Sequence, residues 1–596
     1  MRDRLAGKPL DVGTGSACAS LTSSGNWLSV GCLHPWVGFV ELSGGRVLDE
    51  AGRGDPSAAR AWRAGLSDPA GAFLTIRSSG GEPARASWAL AGVEAGRGGI
   101  TQVWRFDRRD GEVVVRLAGR LDRPALAEIT EINPPIPTGA RSEIVLDGRR
   151  ATLRSRELPA VATVDVSSGT WVAEAGESGT VVVRLPAANR DLTITVSVAP
   201  GTDVPALVRF RPDQAPAVLP PPGSLPGVPV ESTADDADRI VERALAYVRG
   251  CTALEFAPGE RAFLTDHRIL PLSWTRDAYY QALLLLAADD DGDRDRVADH
   301  LRWLWRRCRR PGGRWARSHH GNGEPKDLAF QADQQLYPLV ELADFHRLTG
   351  RLPDGVDWQT AVPGAWSAAL AALDPTVGLI GSDENAADDR AELPFIAASQ
   401  ILLWYTARRL AEAPLATELG LSAPDLQATA SNVRRAFDRY LVHDGRWAYA
   451  TDGRGRAVDY HDANDLPTAF APAWGFCRPD DPAWRATVDF AFSTANPAFV
   501  PGANGGLGSA HTPGCWTLGD VQAWLVARVR DDAAAATAAI RRLEAAAFAD
   551  GMLPEAYAVK ADGVRRIRQW FAWPGSAFGA LRLLDRTGGL DRLSVR

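Results

Sequence analysis

Three segments after residue 270 set acidic side chains beside tryptophans. PLSWTRDAYYQALLLL (271–286) opens an apolar helix with Trp274, Arg276 and Asp277. GSDENAADDRAELPFIAASQILLW (381–404) carries Asp388, Asp389 and Glu392 ahead of another. GMLPEAYAVKADGVRRIRQWFAWPGSAFGAL (551–581) places Glu555 before a loop, and Trp570, Phe571 and Trp573 before the last helix. Acids ahead of a helix have a simple explanation. They complement its positive end, and Thr275 or Ser273 could accept from the free N–H groups of the first turn. That explanation covers the acids but not the tryptophans that recur with them. Two carboxyl groups from distant loops, meeting among aromatic walls, are what cleavage of a glycosidic bond requires. One stays protonated to donate to the leaving oxygen, and the other is ionised to attack the sugar or activate water. No Ser/His/Asp triad, reactive thiol or metal-ligand spacing competes. His319 and His320 sit in the Gly-rich loop GRWARSHHGNGEPKD, which equally suits a solvated lid.

Two kinds of element must position these residues. Residues 1–212 alternate apolar and polar side chains in β-branched runs such as EVVVRLAG (112–119), ATVDVSS (162–168), TVVVRL (180–185) and DLTITVSV (191–198). Many short strands separated by turn residues predict an antiparallel β-sandwich. The segment RPDQAPAVLPPPGSLPGVPVEST (211–233) is too proline-dense for helix or sheet, so residues 213–233 read as an extended linker. Residues 234–596 then follow a 3.6-residue period. The helices are separated by long loops rich in Gly, Trp and Asp, which suits a closed all-α toroid. In an α-solenoid the loops would repeat a motif, and these do not.

The bulk numbers exclude other classes. A chain of 596 residues exceeds one ordinary core. A net charge of −7 gives no basic face for nucleic acid or an anionic membrane. Six scattered cysteines without CxxC or histidine partners read as reduced thiols, so the expected location is cytoplasmic. No secretory leader is evident and no apolar run has the ~18 residues of a membrane span. The 20 tryptophans against 9 tyrosines tilt the reading toward sugar platforms.

These residues carry two resemblances. WTRD at 274–277 resembles the WTRD of inverting glucoamylases, glycoside hydrolase family 15, where the Arg–Asp pair binds sugar hydroxyls. The β-rich half is similar to the domain preceding bacterial members of that family, through SGNWLSVGCLHPWVGFVELSGG (24–45). The C-terminal portion resembles glycoside hydrolase family 125, inverting exo-α-mannosidases. The shared elements are GGLGSAHTPGCWTLGDVQAWL (505–525), with His511 and Trp516; LPEAY…RQWFAWPGSAFGAL, with Glu555 at the general-base position; and ADDRAELPFIAASQ (387–400), with Asp388 or Asp389 at the general-acid position. DANDLP (462–467) is similar to an Asp-Ala-Asn-x-Pro element of that family, with one extra residue, and adds Asp462 as a sugar-binding candidate. Ala387 stands where the family has Ser, and Glu392 is an additional acid.

The resemblance implies an (α/α)6 barrel and an exo-acting, metal-independent, inverting α-glycosidase without cofactor, releasing mannose or glucose from an α-linked oligosaccharide. Trp274, Arg276, Asp277, Glu392, Asp462, His511, Trp516, Trp570 and Trp573 would bind the sugar. The rivals are a phosphorylase, a lyase or epimerase, and a non-catalytic carbohydrate-binding protein on the same architecture.

Overall fold

The computed structural model describes residues 8–22, 26–44, 72–78, 85–89, 98–105, 112–122, 142–155, 158, 160–175, 180–186, 191–200, 236–502, 505–560, 563–567 and 570–595. The Pro-rich segment read as a linker lies outside them.

The N-terminal part is sheet-rich, and the four alternating runs named above lie in its strands. Two antiparallel sheets are present. One is ordered Leu10–Gly13, Ala17–Leu21, Trp27–His34, Leu74–Ser78, Glu112–Leu117, Val181–Pro186 and Val172–Ala173. Gly38–Ser43 also pairs with Trp27–His34. The other is ordered Ser142–Asp147, Arg150–Ser155, Ala160–Val166, Asp191–Pro200, Gly98–Arg105 and Arg85–Ala89. Along Glu112–Leu117 burial alternates strictly, the mark of a strand with one covered face. Trp27, Val40 and Val115 of the first sheet share an apolar cluster with Leu153, Val164 and Ile194 of the second.

Among the described residues the C-terminal part holds twelve helices of nine residues or more. In chain order they are α1 (Asp236–Tyr247), α2 (Thr275–Ala287), α3 (Asp291–Arg306), α4 (Ala332–Thr349), α5 (Trp358–Leu370), α6 (Ala397–Leu410), α7 (Ala423–Tyr440), α8 (Leu466–Trp474), α9 (Pro482–Ala491), α10 (Thr517–Val529), α11 (Ala533–Ala546) and α12 (Ala572–Arg586). The even-numbered helices form the inner ring. Each touches the next, and α12 closes back on α2. Their sequences are apolar around most of the circumference, as helices enclosed on all sides must be. In α2 every residue from Thr275 to Leu286 is buried. The odd-numbered helices form the outer ring and are amphipathic; in α7 only Leu426, Ala430, Val433, Ala436 and Phe437 are buried.

The rings also start differently. Five outer helices have a side-chain cap: Asp290, Asp357, Ser422, Asp481 and Asp532 each accept from the backbone N–H three residues on. None of the six inner helices has one. Their N-cap residues are Trp274, Gln331, Ile396, Asp465, Trp516 and Phe571. The capping explanation for the first segment therefore fails. The Thr275 hydroxyl donates to the Gln334 carbonyl (2.8 Å) and Asp277 binds elsewhere.

The two parts meet through buried polar contacts. Asp11 accepts from Lys8 Nζ (2.8 Å), Ser20 Oγ (2.7 Å) and, across the chain, Trp570 Nε1 (3.0 Å). Burial alone would discourage its ionisation, but Lys8, His267 and Arg243 outweigh that and hold its carboxyl well below the usual range. Arg268 donates to Glu41 of the β-rich part (2.7 Å), and its guanidinium lies 5.7 Å from the Trp570 ring centre.

Candidate active site

A cavity open to solvent is lined by Thr265, Leu270, Trp274, Arg276, Asp277, Ala386, Ala387, Asp388, Asn464, His511, Trp516, Glu555, Phe571 and Trp573. Half of these stand within two residues of the starts of inner helices, whose positive ends lie beside this space.

The wall before α2 is densely knitted. The two-residue strand Leu272–Ser273 pairs with Ser318–His320, which fixes the entry of Trp274. The buried Arg276 guanidinium bonds Asp333 (2.9 Å), lies 3.5 Å from both Asp277 and Asp388, and sits 4.7 Å from the centre of the Trp573 ring. The three carboxylates outweigh burial and keep Arg276 firmly protonated. Asp277 Oδ2 accepts from Thr265 Oγ1 (2.7 Å), and its Oδ1 accepts no hydrogen bond. Burial raises the Asp277 carboxyl to about 7. Arg276 and the Thr265 hydroxyl oppose the shift, while Asp388 and Asp333 add to it.

Asp388 occupies the tip of a tight turn. Glu384 and Arg390 bridge at its base. Asn385 Oδ1 accepts from the N–H of Ala387 (2.9 Å) and Asp389 (3.0 Å), an Asx-type turn. This holds Asp388 at φ 65°, a left-handed conformation that aspartate adopts more readily than most residues. Its carboxylate accepts from Trp274 Nε1 (3.0 Å), Gln331 Nε2 (2.6 Å) and Arg276 Nη2 (3.5 Å). Asp389 does not line the cavity; it lies 3.2 Å from His511 Nδ1.

Glu555 is fully buried at the start of the strand Ala556–Lys560, which pairs with Cys515–Trp516. Its backbone carbonyl accepts from the Thr517 N–H (3.2 Å), and its Oε1 accepts from Thr512 Oγ1 (2.9 Å). Trp516 donates from Nε1 to the Thr512 carbonyl (2.9 Å). The loop before α10 thereby supports Glu555 from two directions.

Thus Trp274, Arg276, Asp277, Asp388, His511, Trp516, Glu555 and Trp573 come together around one cavity. Glu392, Asp462 and Trp570 do not. The Glu392 side chain is 68% exposed and reaches only Arg456 at 3.9 Å. Asp462 is buried behind Asn464, and Trp570 is buried against Asp11. Thr265, Leu270, Asn464 and Phe571 line the cavity without having been singled out. Asn464 and Phe571 lie inside quoted motifs, whereas nothing in the local sequence marks Thr265 or Leu270. Among the described residues no group of three or more His, Cys, Asp and Glu is arranged to hold a metal ion. No described helix is long and apolar enough to cross a membrane.

Residues 366–583 match the family model of metal-independent α-mannosidases, glycoside hydrolase family 125. The chain is a glycoside hydrolase. The matched stretch includes the Asp388 and Glu555 loops. A bacterial glucoamylase solved with acarbose shares the fold over 98% of this hydrolase and 95% of its own chain, at 10% identity and a TM-score of 0.60. This supports the (α/α)6 toroid. A Streptococcus pneumoniae metal-independent α-mannosidase, in a non-productive complex with α-1,6-mannobiose, is 20% identical over 59% of this chain and 94% of its own, with a TM-score of 0.49. No curated protein matches the sequence.

Proposed function

We propose that this hydrolase is exo-acting and anomer-inverting, and releases a monosaccharide from the non-reducing end of an α-linked manno- or gluco-oligosaccharide. The observation that carries the reading is the presence of Asp388 and Glu555, from loops far apart in sequence, on the wall of one cavity. Asp388 is the proton donor in preference to Asp389, which lies outside the cavity and is engaged by His511. To donate, Asp388 must release at least one of its three hydrogen-bond donors to the leaving-group oxygen. Glu555 activates the attacking water, and inversion demands a separation of about 6.5–9.5 Å between the carboxyl groups. Arg276 and Asp277 hold the terminal sugar against Trp274 and Trp573.

A phosphorylase would need a cation for its phosphate. Arg276, the one lysine or arginine among the described residues on the cavity wall, is already engaged by carboxylates. The Pro-rich stretch 213–233 is read as joining two domains, the first a β-sandwich, and the free thiols suit a reducing compartment.

Glu555→Gln should fold normally and lose about 10²–10⁴-fold in kcat on α-linked manno- or gluco-disaccharides. Near-normal turnover would overturn the assignment. NMR of the first-formed hemiacetal should show the β-anomer, and an α-anomer would exclude inversion.

A further inference from the structure

The turn before α8 contains a polar network that explains why Asp462 is buried. Asp462 Oδ1 accepts from the Asn464 backbone N–H (2.9 Å) and from Asn464 Nδ2 (2.7 Å). Asp462 Oδ2 accepts from Tyr460 OH (2.6 Å) and Ser509 Oγ (2.8 Å). Ser509 Oγ in turn accepts a longer bond from Asn464 Nδ2 (3.5 Å) and one from the backbone N–H of His511 (3.2 Å). Both amide hydrogens of Asn464 are therefore committed, the nearer to a carboxylate. Rotating the amide by 180° would set its oxygen against Asp462, so the orientation is fixed by charge. Asn464 itself is only 2% exposed and lines the cavity. Its Oδ1 accepts no hydrogen bond. A buried amide oxygen left unsatisfied costs stability, and such a group in a native site calls for a ligand donor.

We infer that Asn464 accepts a hydrogen bond from one hydroxyl of the terminal sugar, and that Asp462 acts through it as a positioning residue. The inference rests on the hydrolase reading and adds a rule of specificity to it. The released ring must carry a free hydroxyl at the position facing Asn464, because an acceptor that cannot invert rejects an ether, an ester or a deoxy carbon there. Asp277 Oδ1, which also accepts no hydrogen bond, gives a second acceptor on the same cavity wall. The cavity thus distinguishes sugars by where their hydroxyl donors lie.

The test uses the full-length protein, α-linked manno- and gluco-disaccharides, and analogues deoxygenated singly at C2, C3, C4 or C6 of the non-reducing ring. Removing one particular hydroxyl should lower wild-type kcat/KM by about 10- to 100-fold. Asn464→Ala should lose a similar factor on the parent disaccharide and no more on that analogue. Asp462→Asn, which no longer fixes the amide, should weaken discrimination at the same position while leaving the other three unchanged. It also serves as the second variant if Asn464→Ala does not fold. Losses that multiply at every position, or an Asn464→Ala enzyme within about twofold of wild type, would overturn the role of Asn464 and leave the hydrolase reading intact. Absence of wild-type turnover across the whole disaccharide panel would overturn both.

Discussion

The inner and outer rings of the toroid are made of similar numbers of helical residues, yet they begin by opposite rules. Five outer helices start on Asp or Ser caps and carry one apolar stripe. Inner helices start on tryptophan, glutamine, isoleucine or phenylalanine, or on an aspartate whose side chain does not cap. An outer helix faces water on one side and needs its local signals. An inner helix is held by neighbours on every side and can give its first turn to the cavity. Acids before inner helices such as Asp388 can therefore face the cavity, whereas the acids that cap outer helices serve stability.

Substitutions can break that division or sharpen it. The largest separation is expected at the turn before α6. Asp388→Asn should lower kcat by about 10²–10⁴-fold, and Asp389→Asn by no more than about 10-fold. Equal losses in kinetic assays would return the choice between them to the open. Next is Asp277, whose folded value of about 7 lies above its ordinary 3.8. Between those values the folded protein keeps a proton that the unfolded chain has lost, so stability falls as pH rises across that window. Sugar binding should move the other way, because an ionised Asp277 is the better acceptor, and kcat/KM should rise as pH passes about 7. Asp277→Asn should flatten both profiles, read by urea unfolding and by kinetics, and raise KM. Trp570→Phe keeps the ring but removes the bond to buried Asp11. It should cost about 1.5–3 kcal/mol in urea unfolding, as expected for a bond to a charged group. The smallest effect should come from the outer ring. Asp481→Ala deletes a cap at 2.9 Å and should cost ~1 kcal/mol with kinetics unchanged. A loss of activity there would contradict the division.

Much of this was legible in the sequence because the signals were redundant. Most of the helices announce themselves by period, though Trp358–Leu370, Leu466–Trp474 and Pro482–Ala491 do not, and the Asp388 and Glu555 loops stand out by acids beside aromatics. What stayed hidden depended on the fold. Glu392 has the same local setting as Asp388, but the turn built on Asn385 presents one to the cavity and leaves the other in solvent. Asp462 was a candidate through the likeness of DANDLP to a family element, and the structure instead buries it against the neutral Asn464. Trp570 shares the WFAW stretch with two cavity-lining aromatics, and only the arrival of Asp11 from the far end of the chain assigns it to the interface. Thr265 needed the pairing with Asp277 to be noticed at all.

The bond between Trp570 and Asp11 joins residues 559 positions apart. During synthesis the β-rich part emerges first and must hold Asp11, with Lys8 and Ser20, until nearly the whole toroid has been made. Trp570 immediately precedes Phe571 at the cavity, so the interface and that wall are made together. A ribosome stalled between Glu555 and Trp570 would hold a chain with both acids present, a buried carboxylate missing one of its donors, and one wall of the pocket still unmade.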